Sequence, residues 1–122
     1  MRKNSLRSLA KRRDFELVFK KGLSSASKYL VIYARPNELN WNRLGLSVSK
    51  KIGKAVTRNR IKRLLREAMR KVLGDFLQHY DFVFVAKKAA AEGKLEIFIR
   101  ETERFLQKIS HEKSSDSTHK TL

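Results

Sequence analysis

Ser49-Lys-Lys-Ile-Gly-Lys-Ala-Val-Thr-Arg-Asn-Arg-Ile-Lys-Arg-Leu-Leu-Arg-Glu-Ala-Met-Arg-Lys71 is the stretch from which the rest of the chain can be placed. It carries ten of the 29 basic residues and a single acid, Glu67. From Thr57 onward, Ile61, Leu64, Leu65, Ala68 and Val72 recur at three- and four-residue steps, the spacing of one helical face. At about 100° per residue they fill an arc of roughly 100°. Arg58, Arg60, Lys62, Arg63, Arg66, Arg70 and Lys71 occupy most of the remainder. One face is built to be buried and the other to meet a polyanion.

The flanking segments supply the surface against which the apolar face packs. On the N-terminal side, Arg43-Leu-Gly-Leu-Ser-Val48 reads as a strand, and Tyr29-Leu-Val-Ile-Tyr-Ala-Arg35 as an earlier one. Pro36 to Asn42 has loop chemistry, so a hairpin link would make these two strands antiparallel neighbours. Thr57 is the expected N-cap of the basic helix, with Gly53 punctuating the approach. On the C-terminal side, Leu73 to Tyr80 reads as a frayed turn. Asp81-Phe-Val-Phe-Val-Ala86 is the near-continuous apolar strand of a sheet interior. Strand, basic helix, strand is then a β-α-β unit.

Residues 1–10 have no apolar pattern and are expected to fray. A first helix spans about Ala10 to Lys20, with Phe15, Val18 and Phe19 on one face and Gly22 as its C-terminal stop. A last helix runs from about Lys94 to Ile109 on the stripe Leu95, Phe98, Thr102, Phe105 and Ile109. The polar residues beyond it predict disorder. The expected fold is α+β, a small mixed sheet packed with helices in the order helix, strands, helix, strand, helix. Residues 1–109 form one domain and 110–122 a disordered tail.

Charge placement narrows the function. The formal net charge of the 122 residues is +17. Residues 1–72 hold 21 Lys and Arg against four acids, whereas residues 73–122 hold eight of each. A solubilising surface would spread its charge; this concentration is the footprint of a nucleic-acid binder. The longest apolar run, Tyr29 to Ala34, is too short to span a bilayer. No apolar segment follows the basic N-terminus, so no secretory signal is expected there. With no cysteine, disulfides, thiolate metal sites and a cysteine nucleophile are excluded, and the expected location is the cytoplasm.

Catalytic motifs fail on spacing. Seven residues separate Gly45 from Gly53, where a phosphate loop needs four, and Ala55 rather than Ser or Thr follows Lys54. His79, His111 and His119 lack metal-ligand spacing. The close acid pairs, Asp14 with Glu16 and Glu101 with Glu103, point in different directions on helices. They form no acid–base or metal constellation.

The basic helix survives these tests. Its run is nearly free of acids, so i,i+4 pairing does not explain it, and its arginines offer bidentate forks for phosphate. Asn59 sits between Arg58 and Arg60 at the helix start, where backbone N–H groups also favour anions. Phe15, Phe19 and Tyr33 admit two readings. They are the core stripe of the first helix, which is the simpler one on the residues alone. Alternatively, they line a cleft where aromatics stack on unpaired bases.

Arg43-Leu-Gly-Leu-Ser-Val-Ser-Lys-Lys-Ile-Gly-Lys-Ala-Val-Thr-Arg-Asn-Arg-Ile-Lys-Arg-Leu-Leu-Arg-Glu-Ala68 closely resembles the signature of the bacterial ribonuclease P protein family. Arg58-Asn59-Arg60 is its distinctive core. Asp14-Phe15 followed by Phe19-Lys-Lys-Gly22 is similar to that family's first helix, and the likeness covers about residues 6 to 109. The resemblance implies a β-α-β crossover of the rare left hand, against the general rule. It implies that Lys50, Lys51, Lys54, Arg58, Asn59, Arg60, Lys62, Arg63 and Arg66 contact the catalytic RNA of ribonuclease P. It further implies that Phe15, Phe19 and Tyr33 line a cleft for the single-stranded 5′ leader of precursor tRNA, which reverses the simpler reading above.

The implied reaction is hydrolysis of the phosphodiester joining leader to tRNA. The RNA subunit with Mg²⁺ supplies the active site, and the protein holds no catalytic residue or metal ligand. The implied partners are the catalytic RNA and precursor tRNA, with no membrane and no protein partner required. One departure is Lys87-Lys88 after the Ala86 strand, where the family usually has arginine; charge is kept but the bidentate fork is lost. The alternative from another class is a ribosomal or general RNA-binding protein without a catalytic partner.

Overall fold

The computed structural model describes residues 6–121 apart from 75 and 77, with side chains as far as residue 110. In chain order the elements are β1 (Leu6–Ser8), α1 (Arg12–Lys21), β2 (Leu23–Ala26), β3 (Leu30–Pro36) and β4 (Asn42–Ser47). After a 3-10 turn at Lys50–Ile52 come α2 (Ala55–Val72) and β5 (Tyr80–Ala86). A second 3-10 turn at Lys88–Glu92 then leads into α3 (Leu95–Thr121). The five strands form one mixed sheet in the order β1-β4-β5-β3-β2, with β5 antiparallel to β3 and parallel to β4.

The apolar run of β5 explains its central place. Six of its seven residues are buried, leaving only Val85 half-exposed, so it needs cover on both faces and both edges. Leu30, Ile32 and Ala34 of β3 alternate with half-exposed Val31, Tyr33 and Arg35. The inward set joins Phe82 and Phe84 in the main core. Helices α2 and α3 close that core with Ile61, Leu65, Ala68 and Met69 from one, and Phe98, Thr102, Phe105, Leu106 and Ile109 from the other. Most of both stripes is as expected from spacing, but Met69 is buried where Leu64 and Val72 are half-buried, and Leu106 is buried where Leu95 is half-buried. On the opposite face α1 seats Val18 against Val83 and Leu9 in a smaller cluster, with Phe15, Tyr33 and Val85 at its rim.

Several local expectations are corrected. β3 and β4 run in opposite directions but do not pair, because β5 lies between them. A five-residue loop reverses the chain without forcing a ladder, and the most apolar strand claims the central slot. Two edge strands were not foreseen. Leu6–Ser8, inside the segment expected to fray, pairs in parallel with β4, and Leu9 behind it is buried. Leu23–Ala26 pairs with β3. Residues 1–5 lie outside the described ones, as do 75 and 77 in the expected turn.

Helix α2 begins three residues earlier than expected from a Thr57 cap. Lys54 is its N-cap, the Arg58 N–H donates to Lys54 O at 2.9 Å, and Thr57 is already helical. Gly22 does end α1, but with φ −86° it needs no left-handed backbone. Glycine is required there by close approach, since a Cβ would lie 2.6 Å from Val18 O and 2.7 Å from Ala34 O. Finally, α3 continues to Thr121, so its backbone is helical over most of the segment expected to be disordered. Residues 110–121 contain neither Pro nor Gly, and a helix closes its backbone hydrogen bonds within its own segment.

Candidate nucleic-acid interface

Two separate surfaces lie on opposite faces of the sheet, one basic and one aromatic. The first is built on α2. Asn59, Arg63, Arg66 and Arg70 follow one another at steps of four, three and four, and all four are exposed. They point away from buried Ile61, Leu65, Ala68 and Met69 and form a stripe about 16 Å long. Lys50, Lys51 and Lys54 extend this basic surface past the helix start, all exposed. The turn that carries them is fixed by Ser49, whose Oγ accepts the Lys51 N–H at 3.3 Å. Among the described residues, no ion pair neutralises any of these cations.

Arg58, Arg60 and Lys62 are half-buried on the flanks of the helix and do not share the stripe. The Arg58 Nε–H donates to Gly53 O at 3.1 Å and holds the preceding turn. Arg60 donates across to the second 3-10 turn, to Ala91 O and, at 3.4 Å, to Gly93 O. The sequence places Arg60 with the phosphate contacts; the structure gives it the additional task of tying α2 to the turn before α3. Arg60→Ala is therefore expected to lower stability by about 1.5–3 kcal/mol, the range for a charged hydrogen-bonded group. Arg63→Ala should leave stability within about 0.5 kcal/mol. Thermal unfolding of the two variants decides this.

Lys87, standing where arginine is usual in the resemblance, is likewise engaged. Its Nζ donates to Ser27 O at 2.7 Å and its N–H to Tyr29 O at 2.9 Å, pinning the β2–β3 turn to the end of β5.

The second surface lies under α1. The three aromatic residues singled out in the sequence do come together: Phe19 meets Tyr33 edge-on at 4.8 Å, and Phe15 meets Phe19 at 6.3 Å between ring centroids. Phe15 lies over Gly45 of β4, where a Cβ would come within 2.5 Å of its Cζ. Phe15 and Tyr33 are half-buried against the smaller cluster, whereas Phe19 is 43% exposed. The core reading and the cleft reading are thus compatible. The rings anchor α1 and still present their edges beside half-exposed Val31, Val85 and Ser47. Gly45 was missed by spacing arguments, because its role depends on a ring 30 residues away in sequence.

A charge network sets the position of α1 over this surface. Arg43 grips Asp81 with two bonds, Nε–H to Oδ1 at 2.8 Å and an NH2 hydrogen to Oδ2 at 2.7 Å. Its remaining nitrogen reaches Asp14 of α1 at 3.4 Å. Asn37 Nδ2 donates to Asp81 Oδ1 at 2.8 Å, so one carboxylate gathers β4, β5 and the end of β3. The Asp81 hydrogen bonds hold the Arg43 guanidinium above its already high ordinary pKa, against the opposing effect of burial. The carboxylates of Asp14 and Asp81 are thereby occupied. Among the described residues, no group of three or more His, Asp or Glu is close enough to hold a metal ion. No described helix is long and apolar enough to cross a membrane.

Comparison with known proteins agrees with this architecture. The profile of the family described as Ribonuclease P matches residues 3–110. A ribonuclease P protein component from Caldanaerobacter subterraneus subsp. tengcongensis is 42% identical over 87% of the chain and 91% of the relative. The solved structure of the Staphylococcus aureus RNase P protein superposes with a TM-score of 0.72 at 36% identity, covering 84% of this chain and 94% of that one. The RNase P protein from Thermotoga maritima gives 0.73 at 33% identity, with 83% and 96% covered.

Proposed function

The chain belongs to the bacterial ribonuclease P protein family, and from that premise we propose how its two surfaces divide the work of the enzyme. It is the protein subunit of a ribonucleoprotein endoribonuclease that matures the 5′ end of tRNA. The observation that carries the division is the exposed stripe Asn59, Arg63, Arg66 and Arg70, arranged along one side of α2 with no ion pair to an acid among the described residues.

That stripe, with Lys50, Lys51, Lys54, Lys62 and the helix start at Arg58 and Arg60, takes the phosphates of the catalytic RNA. Arginine forks and lysine charges act there chiefly through counterion release. The aromatic surface of Phe15, Phe19 and Tyr33 takes the unpaired leader of precursor tRNA by stacking, on the opposite face of the sheet. The protein thus holds enzyme RNA and substrate at once, and raises affinity by linking two binding events. In this reading Mg²⁺ serves as the ion of the RNA subunit. Its proposed location is the cytoplasm, with no protein partner required.

Reconstitution tests the reading. The protein alone should not cleave precursor tRNA, but it should lower the Mg²⁺ requirement of the cognate RNA at low salt. RNA that behaves identically with and without the protein would refute the division of labour. Equal affinity for the catalytic RNA and for unrelated structured RNA at physiological salt would instead mark a general RNA binder. Within this scheme Phe19→Ala should weaken leader binding by about 1–3 kcal/mol, the worth of one stacked base. Leaderless tRNA should bind as before; an equal loss there would make Phe19 purely a packing residue.

A further inference from the structure

The basic surface of α2 does not end in open solvent. At its C-terminal half, Arg66 and Arg70 lean toward the free edge of the sheet and line a cleft of about 40 Å³ together with Leu6, Arg7, Ser8 and Leu44. About 10–15 Å³ by this measure holds one water molecule, so the cleft has room for a small polar group. Its lining contains three arginines and no carboxylate. Among the described residues none of the three is neutralised by an ion pair.

The strand edge adds directed donors. β1 pairs only with β4 and lies at the margin of the sheet. The Leu9 N–H donates inward to Leu44 O at 3.0 Å. Alternation along a parallel strand therefore turns the Ser8 N–H away from β4, to the unpaired side. Ser8 is exposed and contributes its hydroxyl as well. Arg7 turns its side chain to the other face of β1, with Arg43, and stacks there over Trp41, its Cζ 3.8 Å from the ring centre, so the charged groups of the cleft are those of Arg66 and Arg70. The guanidinium forks of Arg66 and Arg70 beside an unpaired N–H and a hydroxyl, with no carboxylate in the lining, suit an anionic oxygen group such as a phosphate.

We propose that this cleft between β1 and the C-terminal half of α2 seats one backbone phosphate of the RNA strand that the α2 stripe holds. The inference rests on that reading of α2 and extends it to the β1 edge at Ser8, which does not belong to the sequence motif. Continuity favours RNA as the source, because Arg66 and Arg70 are shared by the stripe and the cleft. The β1 edge then fixes the register of the bound strand, which a cylindrical helix surface alone leaves free to slide.

The test compares full-length variants in binding to the catalytic RNA across a salt series. Ser8→Glu should lower affinity at least tenfold at 0.1 M salt, while Gln107→Glu, the same charge change at an exposed site on α3, should lower it less than threefold. Arg70→Ala should flatten the log-affinity against log-salt slope by about 0.7–0.9, the equivalent of one phosphate. In that background the Ser8→Glu loss should shrink. Amide and Nε resonances of Ser8, Arg66 and Arg70 should also shift saturably with inorganic phosphate at constant ionic strength, and less with chloride. Ser8→Glu that binds RNA like Gln107→Glu overturns the proposal, and saturable phosphate shifts with unchanged RNA affinity overturn it equally, leaving an ion site only. Arg63→Ala separates the levels. If it flattens the slope while the Ser8 and Arg70 variants do not, the α2 reading stands and the cleft falls; if none of the three has an effect, both fall.

Discussion

Arg43→Ala is expected to destabilise the fold by about 3 kcal/mol, the lower end of the range for breaking a buried ion pair. The Asp81 side chain is 4% exposed, and Arg43 supplies two of its three hydrogen bonds. Without the guanidinium only Asn37 remains, and a carboxylate is left uncompensated among three strands. The lower end applies because the Arg43 side chain is 24% exposed, so water can enter the vacated space and screen the charge. Arg43→Lys keeps the charge but loses the fork, and should cost less. Urea unfolding with an unchanged m-value measures both. A loss under about 0.5 kcal/mol for Arg43→Ala would show that strand packing alone holds this corner. The same substitution frees Asp14, so α1 should seat its aromatic residues less firmly, and leader binding should weaken along with stability.

The second large effect belongs to the basic surface. Replacing Lys54, Arg63 and Arg66 together by alanine should flatten the salt dependence of catalytic-RNA binding by about 2–2.7, at about 0.7–0.9 for each phosphate that is no longer neutralised. All three residues are exposed, so the unfolding midpoint should barely move. Weaker affinity at an unchanged slope would mean that these side chains act through RNA shape or base edges. Unchanged affinity would remove the phosphate role from the stripe. Because Arg60 is tied to the turn before α3, it is left out of this set; its removal would mix a stability loss with a binding loss.

Much of this was legible in the sequence where the information is local. The three- and four-residue spacing of Ile61, Leu65 and Ala68, and of Phe98, Thr102, Phe105 and Ile109, states which helix face is buried. The structure buries those faces. The unbroken apolar run of β5 marks a central strand for the same reason: a segment with no polar side has no side to leave in water. Phe15, Phe19 and Tyr33 could be named as a group, but whether they pack or present edges to a ligand was open. In the structure Phe15 and Tyr33 are half-buried and Phe19 is exposed, so packing leaves part of each ring at the surface.

Edge strands were less legible. Leu23-Ser-Ser-Ala26 has no apolar alternation, because an edge strand is held by its backbone ladder and one covered neighbour.

By itself, then, the sequence determined the faces of its helices, the interior strand, the concentration of positive charge in residues 1–72 and the family to which the chain belongs. Periodicity and composition are properties of neighbouring residues, and these features need nothing more. The tertiary structure alone decided that β5 separates β3 from β4, that Arg43 closes on an aspartate 38 residues away, that Arg60 faces carbonyls, and that Ser8 lines one cleft with Arg66 and Arg70. Each of these is settled by which segments win a place beside which others, a competition over packing and hydrogen bonding between parts of the chain remote in sequence.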